Sequence, residues 1–159
     1  MPKYRLLTLE ELQELEKEFV EYLVLNGITA DDWEKIKKEN PSSARHIIEL
    51  FSDVVFESIM RKVKYLELRT AHEVKVFQCL ESKLVLVAMQ STVDPDIDFT
   101  NTAYIKNAMN NPPPGLKVYT SEKTYGKVRE IEIFEMIRAG ALITGDQLFK
   151  SLCLALPSQ

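Results

Sequence analysis

The chain contains few of the residues from which common catalytic and binding motifs are built. Its 159 residues include five glycines, two cysteines, two histidines and one tryptophan. No glycine-rich phosphate loop and no nucleophile elbow occurs. Cys79 and Cys153 are too few for a disulfide framework and lack the paired spacing of a zinc site. The sequence therefore predicts no cofactor, metal site or catalytic residue, and it favours a non-enzymatic protein over an enzyme.

Long apolar runs are also missing. No stretch approaches the roughly 20 apolar residues of a membrane span, and the first residues, MPKYRLLTLEELQELEKEF, contain no apolar segment of signal-peptide length. We therefore expect a soluble, reduced, cytoplasmic protein without a membrane-embedded part. The formal net charge of -4 and the pI of about 5.3 disfavour nucleic acid as a partner, because phosphate binding normally needs a basic face.

Helical signals fill the first third of the chain. Thr8 followed by Glu11 is a capping box, and it opens an amphipathic pattern that ends at Asn26-Gly27. Its apolar stripe consists of Leu9, Leu12, Leu15, Phe19, Val20, Tyr22 and Leu23. Thr29 caps a second helix over 30–39, and Asn40-Pro41 opens a third that runs to about Arg61. On that helix a broad apolar arc (Ile47, Ile48, Phe51, Val54, Val55, Ile59) and a narrower strip (Phe56, Met60, Val63) predict a central position.

The remainder of the chain mixes strands with helices. Alternating or apolar segments predict strands at 64–69, 74–79, 84–89 and 116–121, mostly antiparallel because the links are short. We expect one helix over 94–111 and another after a second capping box, which begins at Thr144. A further helix, ending at Gly140, is expected over 127–139, although the part over 130–133 also fits a strand. The NNPPPG stretch, 110–115, is interpreted as a break between helix and strand rather than a docking motif. The fold class is α+β, with N-terminal helices, a four-stranded mainly antiparallel sheet, and C-terminal helices packed back on the core. It forms a single domain, 1–159, with a helical lobe over 1–62 and an α+β lobe over 63–159.

Two polar features are candidates for a ligand site. Glu16 falls inside the apolar stripe of the first helix; it is either an edge carboxylate that pairs with a base or a buried carboxylate with a raised pKa in a pocket. On the third helix His46, Asp53 and Glu57 form a polar ridge. The ridge is either a divalent-metal site or acid-base pair, or it is a solvated ladder of ion pairs and repulsions, and the ladder is the simpler interpretation.

A basic stretch around the first two strands is a candidate for single-stranded nucleic acid. Tyr65, Arg69, Lys75 and Phe77 would supply stacking rings and cations if they shared one exposed face. An ordinary outer sheet face explains the same residues more simply. The acidic segment 94–98 resembles the start of a calcium loop, but Phe99 and Ile105 stand where that loop needs Gly and Glu, so we reject calcium binding.

The segment 139–156 contains only two charged residues, Asp146 and Lys150. Such a segment should be buried, either in the core of the chain or against a second copy. We therefore expect a non-enzymatic interaction or adaptor domain that self-associates, with a homo-oligomer or another protein as partner. The alternative is a small-molecule-binding protein or minor enzyme with a pocket near Glu16 and the polar ridge.

Three segments carry a resemblance that covers most of the chain. GITADDWEKIKKENP, LFSDVVFE and GALITGDQLF resemble a family of small uncharacterised bacterial proteins, a domain of unknown function found mainly in Bacteroidetes. The similarity runs from Leu6 to about Leu152. It implies a bacterial cytoplasmic protein and brings no reaction, ligand or catalytic residue with it.

Overall fold

The computed structural model describes residues 1–92, 96–112 and 115–156. The chain divides into two units, Met1–Arg61 and Lys62–Gln159. Helices come first and a sheet with further helices follows, which confirms the α+β class. The helices are α1 (Leu9–Glu14), α2 (Glu16–Leu25), α3 (Ala30–Glu39), α4 (Pro41–Lys62), α5 (Thr102–Asn110), α6 (Arg129–Arg138) and α7 (Gln147–Leu154). The strands are β1 (Tyr65–Arg69), β2 (Glu73–Cys79), β3 (Lys83–Ser91), β4 (Leu116–Thr124) and β5 (Leu142–Thr144).

An aromatic cluster forms the core of the first unit. The Phe19 ring on α2 lies 4.9 Å from the Phe51 ring on α4 and 5.1 Å, edge to face, from the Trp33 ring on α3. Edge-to-face aromatic pairs add stability beyond the area that they bury. The lone tryptophan is therefore a packing residue, and it fixes α3 against α2.

The first helix of the sequence prediction is two helices in the structure. The helical pattern stops at Leu15, whose φ of -101° and ψ of 22° lie outside the helical region; neither glycine nor proline causes this break. The predicted apolar stripe is buried at Phe19 and Leu23 but exposed at Leu9 and Val20. On α4, likewise, the narrow strip with Phe56 and Met60 is buried, whereas Val54 and Ile59 of the broad arc are exposed.

Glycine ends two of the helices, as the sequence predicts. Gly27 has a φ of +74°, and the N–H groups of Gly27 and Ile28 donate to the carbonyls of Val24 and Leu23. Gly140, with a φ of +118°, ends α6 in the same way. Such paired bonds satisfy carbonyls that the helix end would otherwise leave open, and only glycine adopts the required positive φ without strain.

The second unit is built on a five-stranded antiparallel sheet in the order β4-β3-β2-β1-β5. Directly opposite residues of antiparallel strands point to the same face. The pairs Val76–Val87 and Val74–Met89 therefore lie on one face of the sheet. Phe99, α5 and α7 cover this face, and the resulting core contains Val74, Val76, Val87, Met89, Ile97, Phe99, Ile105, Ala108, Phe149 and Leu152.

Several expectations for the second unit need correction. The sheet has a fifth strand, β5, which pairs with the β1 edge through Leu66 and Ile143. Thr144 belongs to this strand and so does not cap α7, where Asp146 occupies the N-cap without a side-chain cap bond. The segment 139–156 is only partly buried. Its Phe149 and Leu152 side chains are buried, but those of Leu142 and Leu154 are exposed.

The stretch NNPPPG lies between a helix and a strand. α5 ends at Asn110, and β4 begins at Leu116 after Gly115, which has a φ of +81°. Pro113 and Pro114 lie outside the described residues, as do Asp94 and Pro95 of the acidic segment. In the part that is described, α5 begins at Thr102 rather than at Asp94, with Asn101 as its N-cap.

Candidate functional site: a cleft between α5 and α7

The polar ridge on α4 holds the N-terminal segment of the chain. The two carboxylate oxygens of Asp53 accept the backbone N–H groups of Lys3, at 2.9 Å, and of Tyr4, at 3.0 Å. Glu57 accepts a hydrogen bond from the Tyr4 hydroxyl and another from the Lys3 amine. The Tyr4 bond, helped by Lys3 and opposed by desolvation, lowers the pKa of Glu57. The ridge is therefore a docking surface for residues of the same chain.

The other two ligand candidates do not join these carboxylates. The exposed His46 places Nδ1 3.8 Å from a carboxylate oxygen of Glu49, which also contacts the terminal amine of Met1. Glu16 is exposed on α2, so it is not the buried carboxylate that one interpretation required. The structure brings Asp53 and Glu57 together through Lys3 and Tyr4, and it leaves Glu16 outside that group.

The four nucleic-acid candidates do not share a surface. Tyr65 stands opposite Gln78, and Phe77 stands opposite Leu66, so the two aromatic rings point to different faces of the sheet. The same register separates Arg69 from Lys75. The Tyr65 ring packs against Phe149 at 5.4 Å, and the Lys75 amine lies 3.4 Å from a carboxylate oxygen of Glu73. These residues do not form the single basic and aromatic face that stacking of bases needs.

The described residues contain no group of three or more potential metal ligands. Both cysteines are free thiols. Burial raises the pKa of Cys79 to about 11, with nearby Arg129 opposing the shift. A thiol with a raised pKa is a poor nucleophile, because the thiolate is the reactive form. Cys79 is therefore a buried residue of the sheet whose thiol is poorly suited to nucleophilic attack.

A cleft of about 330 Å³ opens where α5 and α7 begin. Such a volume lies at the lower end of the range for small-molecule sites. Thr102 and Gln147, the first residues of the two helices, both line it, so the positive ends of two helix dipoles lie at the cleft. The complete lining is Arg69, Thr102, Ile105, Lys106, Met109, Thr144, Gly145, Gln147, Leu148 and Ser151. It includes two cations and no carboxylate.

The sheet positions Arg69 at this cleft. Arg69 ends β1 on the face that α5 and α7 cover, since its partner Val74 belongs to the core on that face. Its Nε donates to Glu67 at 2.7 Å, and its Nη1 donates to the Thr102 hydroxyl at 3.3 Å. A guanidinium has five N–H donors in a planar fork, so these two bonds orient Arg69 and leave other donors for a ligand.

Lys106 supplies the second cation, one turn into α5. It is exposed, and none of the residues that the structure describes forms an ion pair with it. Thr144, Gln147 and Ser151 add hydroxyl and amide groups, while Ile105, Met109 and Leu148 give the cleft an apolar wall. This arrangement suits a small ligand that carries negative charge and has an apolar part.

Sequence reasoning found one residue of this cleft, Arg69, and assigned it to another surface. The remaining polar residues come from three separate elements, α5, β5 and α7, and no motif links these elements along the chain. The available signal was weak: Thr102 and Lys106 lie one turn apart, on the same side of a predicted helix. The pairing of β5 with β1 places Thr144 opposite Tyr65, and Thr144, Gln147 and Arg69 then line the same cleft.

The sequence model of DUF6495, a family of unknown function, matches residues 1–156 of the chain. The chain therefore belongs to that family, in agreement with the resemblance of its sequence to a domain of unknown function. No curated protein and no solved structure matches the chain. Of the helices in the described residues, none has the length and hydrophobicity needed to cross a bilayer.

Proposed function

We propose that the protein is a small-molecule-binding domain whose ligand is an organic anion held in the α5–α7 cleft. The observation that carries this proposal is the lining of the cleft, which combines Arg69 and Lys106 with hydroxyl and amide donors, while the carboxylate bonded to Arg69, that of Glu67, lies outside the lining. Charge-assisted hydrogen bonds from a planar guanidinium favour carboxylate and phosphate groups. Lys106 adds a positive charge that has no ion-pair partner in the described part of the chain.

The proposal is tested by titrating the ¹⁵N-labelled protein with acetate and with inorganic phosphate at low ionic strength. We expect the amide signals of Gly145 and Gln147 to shift, since both residues line the cleft. Lys106→Glu should weaken binding by about tenfold, which corresponds to ~1.4 kcal/mol.

Lys117→Glu is the matched control. Lys117 is exposed on β4 and stands opposite Gln90, on the sheet face that α5 and α7 do not cover. The Lys117→Glu substitution changes the net charge by the same amount as Lys106→Glu, and it should leave the affinity for the anion unchanged. Equal losses in the two variants would mean that the anion responds to net charge alone, and the proposal would then be wrong.

A second candidate function is self-association through the β5 edge. β5 is the last strand on its side of the sheet, and its Leu142 and Ile143 side chains are 66% and 54% exposed. A free strand edge with apolar side chains is a surface on which a second strand can pair. These observations support an interaction or adaptor domain that forms a homodimer by joining two sheets edge to edge.

Light scattering coupled to size-exclusion chromatography tests this second candidate. We expect a dimer that Ile143→Lys converts to a monomer, because the new charge would lie at the joined edge. Leu25→Lys is the control, since Leu25 is 85% exposed on α2 of the first unit. A monomer at every concentration of the unaltered protein would remove the self-association candidate and leave the ligand cleft untouched.

We also propose that the protein acts in the cytoplasm of a bacterium. The resemblance to a family of small bacterial proteins supports this location, and so do the two free thiols, which are typical of a reducing compartment. Fractionation of the native host with an antibody against the protein tests it. Recovery of the protein in the soluble cytoplasmic fraction is the expected result, and recovery in the periplasmic or membrane fraction would contradict the proposal.

A further inference from the structure

A second cavity of about 170 Å³ lies beside the cleft. Its wall is formed by Met89 of β3, by Leu116 and Val118 of β4, and by Ala108 and Met109 of α5. None of the residues that line it is charged. A cavity of this composition accepts hydrocarbon and offers no counter-charge to an anion.

The two cavities follow one another along the groove between α5 and α7. Thr102 and Gln147, at the beginnings of the helices, line the cationic cleft; Pro112 and Ala155, just beyond their ends, line the apolar cavity. Met109 lines both cavities. Methionine is unbranched and flexible, so this shared wall is a side chain that can move aside for a chain-like ligand. The groove is therefore cationic at one end and apolar at the other.

We propose that the groove binds an amphiphilic monoanion, an unbranched carboxylate with a medium-length alkyl chain. The carboxylate binds Arg69 and Lys106, and the chain passes Met109 into the cavity under Met89 and Val118. Thr102 and Asn110, the first and last residues of α5, lie eight helical steps apart, roughly 12 Å at 1.5 Å per residue, which is about the length of an extended chain of ten carbons. This inference rests on the proposed function, because it assigns a ligand class to the same cleft.

The five methionines supply the probes for the test. Protein labelled with ¹³C at the methionine methyls is titrated with acetate, hexanoate, octanoate and decanoate. We expect decanoate to shift the signals of Met89 and Met109, and to leave those of Met60 on α4 and Met136 on α6 in place. Affinity should rise by about fourfold for each methylene that enters the apolar cavity.

Two further arms define the ligand. Decanol should bind much more weakly than decanoate, because it lacks the charge that Arg69 and Lys106 recognise. Ala108→Leu should fill the apolar cavity and remove the dependence on chain length, while acetate binding stays as in the unaltered protein. Ala108 is buried, so this variant can fail to fold; the chain-length series on the unaltered protein then decides alone.

The outcomes separate the two proposals. Two results would overturn the amphiphile inference and leave the proposed anion cleft standing. One is that acetate binds but longer chains gain no affinity, and the other is that the Met89 signal does not shift when decanoate is added. Equal binding of decanol and decanoate would overturn it as well, because the charged end would then play no part. If neither acetate, phosphate nor decanoate binds, both proposals are wrong.

Discussion

Asp53 binds the backbone of Tyr4: one of its carboxylate oxygens accepts the Tyr4 N–H at 3.0 Å. The other accepts the N–H of Lys3, so a single side chain of α4 satisfies two successive amides of the N-terminal segment. Leu7 is held in the same way, since its N–H donates to the Ser52 hydroxyl at 3.0 Å. The N-terminal segment thus depends on α4 side chains for its backbone hydrogen bonds.

Replacement of Asp53 by alanine should release this segment. We expect Asp53→Ala to lower the free energy of unfolding by about 1–3 kcal/mol, because two amide donors lose an ionised acceptor. Urea unfolding followed by the fluorescence of Trp33, the only tryptophan, measures the change. Hydrogen exchange at Lys3 and Tyr4 should become faster. Ser42→Ala on the exposed first turn of α4 is the control, and unchanged exchange in Asp53→Ala would contradict this role.

Glu132 should make the stability of the second unit depend on pH, with a loss of stability in acid. It is 8% exposed and accepts hydrogen bonds from the Lys123 amine at 2.5 Å and from the N–H of Gly126 at 2.8 Å. Burial raises the pKa of Glu132, but the bonds from Lys123 and from the N–H groups of Lys127 and Gly126 outweigh it, and the net pKa is lowered. A carboxyl whose pKa is lower in the folded state stabilises the protein above its unfolded pKa, about 4.3.

We therefore expect Glu132→Gln to destabilise the protein by about 1–2 kcal/mol at pH 7. The difference from the unaltered protein should shrink as the pH falls below about 4.3, toward the lowered folded pKa, because protonation makes Glu132 of the unaltered protein neutral, as the glutamine of the variant already is. Urea unfolding at several pH values measures it. Glu122→Gln, at an exposed carboxylate on β4, is the control. A difference that stays constant down to pH 3 would show that the charge of Glu132 contributes nothing.

The two thiols should differ in reactivity. Cys79 is buried and its pKa is about 11, so roughly one thiol in a thousand is ionised at pH 8. Cys153 is half-buried, and burial raises its pKa as well. We expect Cys153→Ser protein to resist iodoacetamide until guanidinium unfolds it, and Cys79→Ser protein to react slowly in the native state. Rapid native alkylation of Cys79 would contradict the buried position.

Helix caps provide a fourth prediction. The Thr29 hydroxyl accepts the N–H of Asp32 at 3.1 Å, and the Asp32 carboxylate accepts the N–H of Thr29 at the same distance. Thr29→Ala should therefore cost about 1 kcal/mol of unfolding free energy. Asp146, the N-cap of α7, makes no such bond, so Asp146→Ala should cost less. Urea unfolding of both variants tests this order, and the reverse order would contradict it.

Features that depend on a few neighbouring residues could be predicted from the sequence. The bounds of α3 follow from the Thr29 capping box and from Pro41 after Asn40, and both signals act within one turn. The ends of α2 and α6 follow from Gly27 and Gly140 for the same reason. The strands β1 to β4 were predictable because each pairs with an earlier strand across a short link or carries a clear apolar pattern.

The sequence did not predict the features that depend on pairing between segments far apart in the chain. β5 is too short to show alternation, and it is a strand only because β1 offers it a free edge. The ligand cleft depends on that pairing, which places Thr144 opposite Tyr65, and Thr144 and Gln147 line the cleft together with Arg69. The ridge on α4 was visible as a row of polar residues, but its true partner, the segment from Met1 to Leu7, has no pattern that indicates where it docks.

The pairing of β5 with β1 also orders events during synthesis on the ribosome. β1, β2 and β3 are neighbours in the chain and in the sheet, so they can pair as soon as they emerge. The outer edge of β1 then stays unpaired while β2, β3, α5, β4 and α6 are synthesised, because β5 follows all of them in the chain. A nascent chain therefore presents an unpaired strand edge for most of the translation of the second unit, the period in which it is most exposed to pairing with another chain.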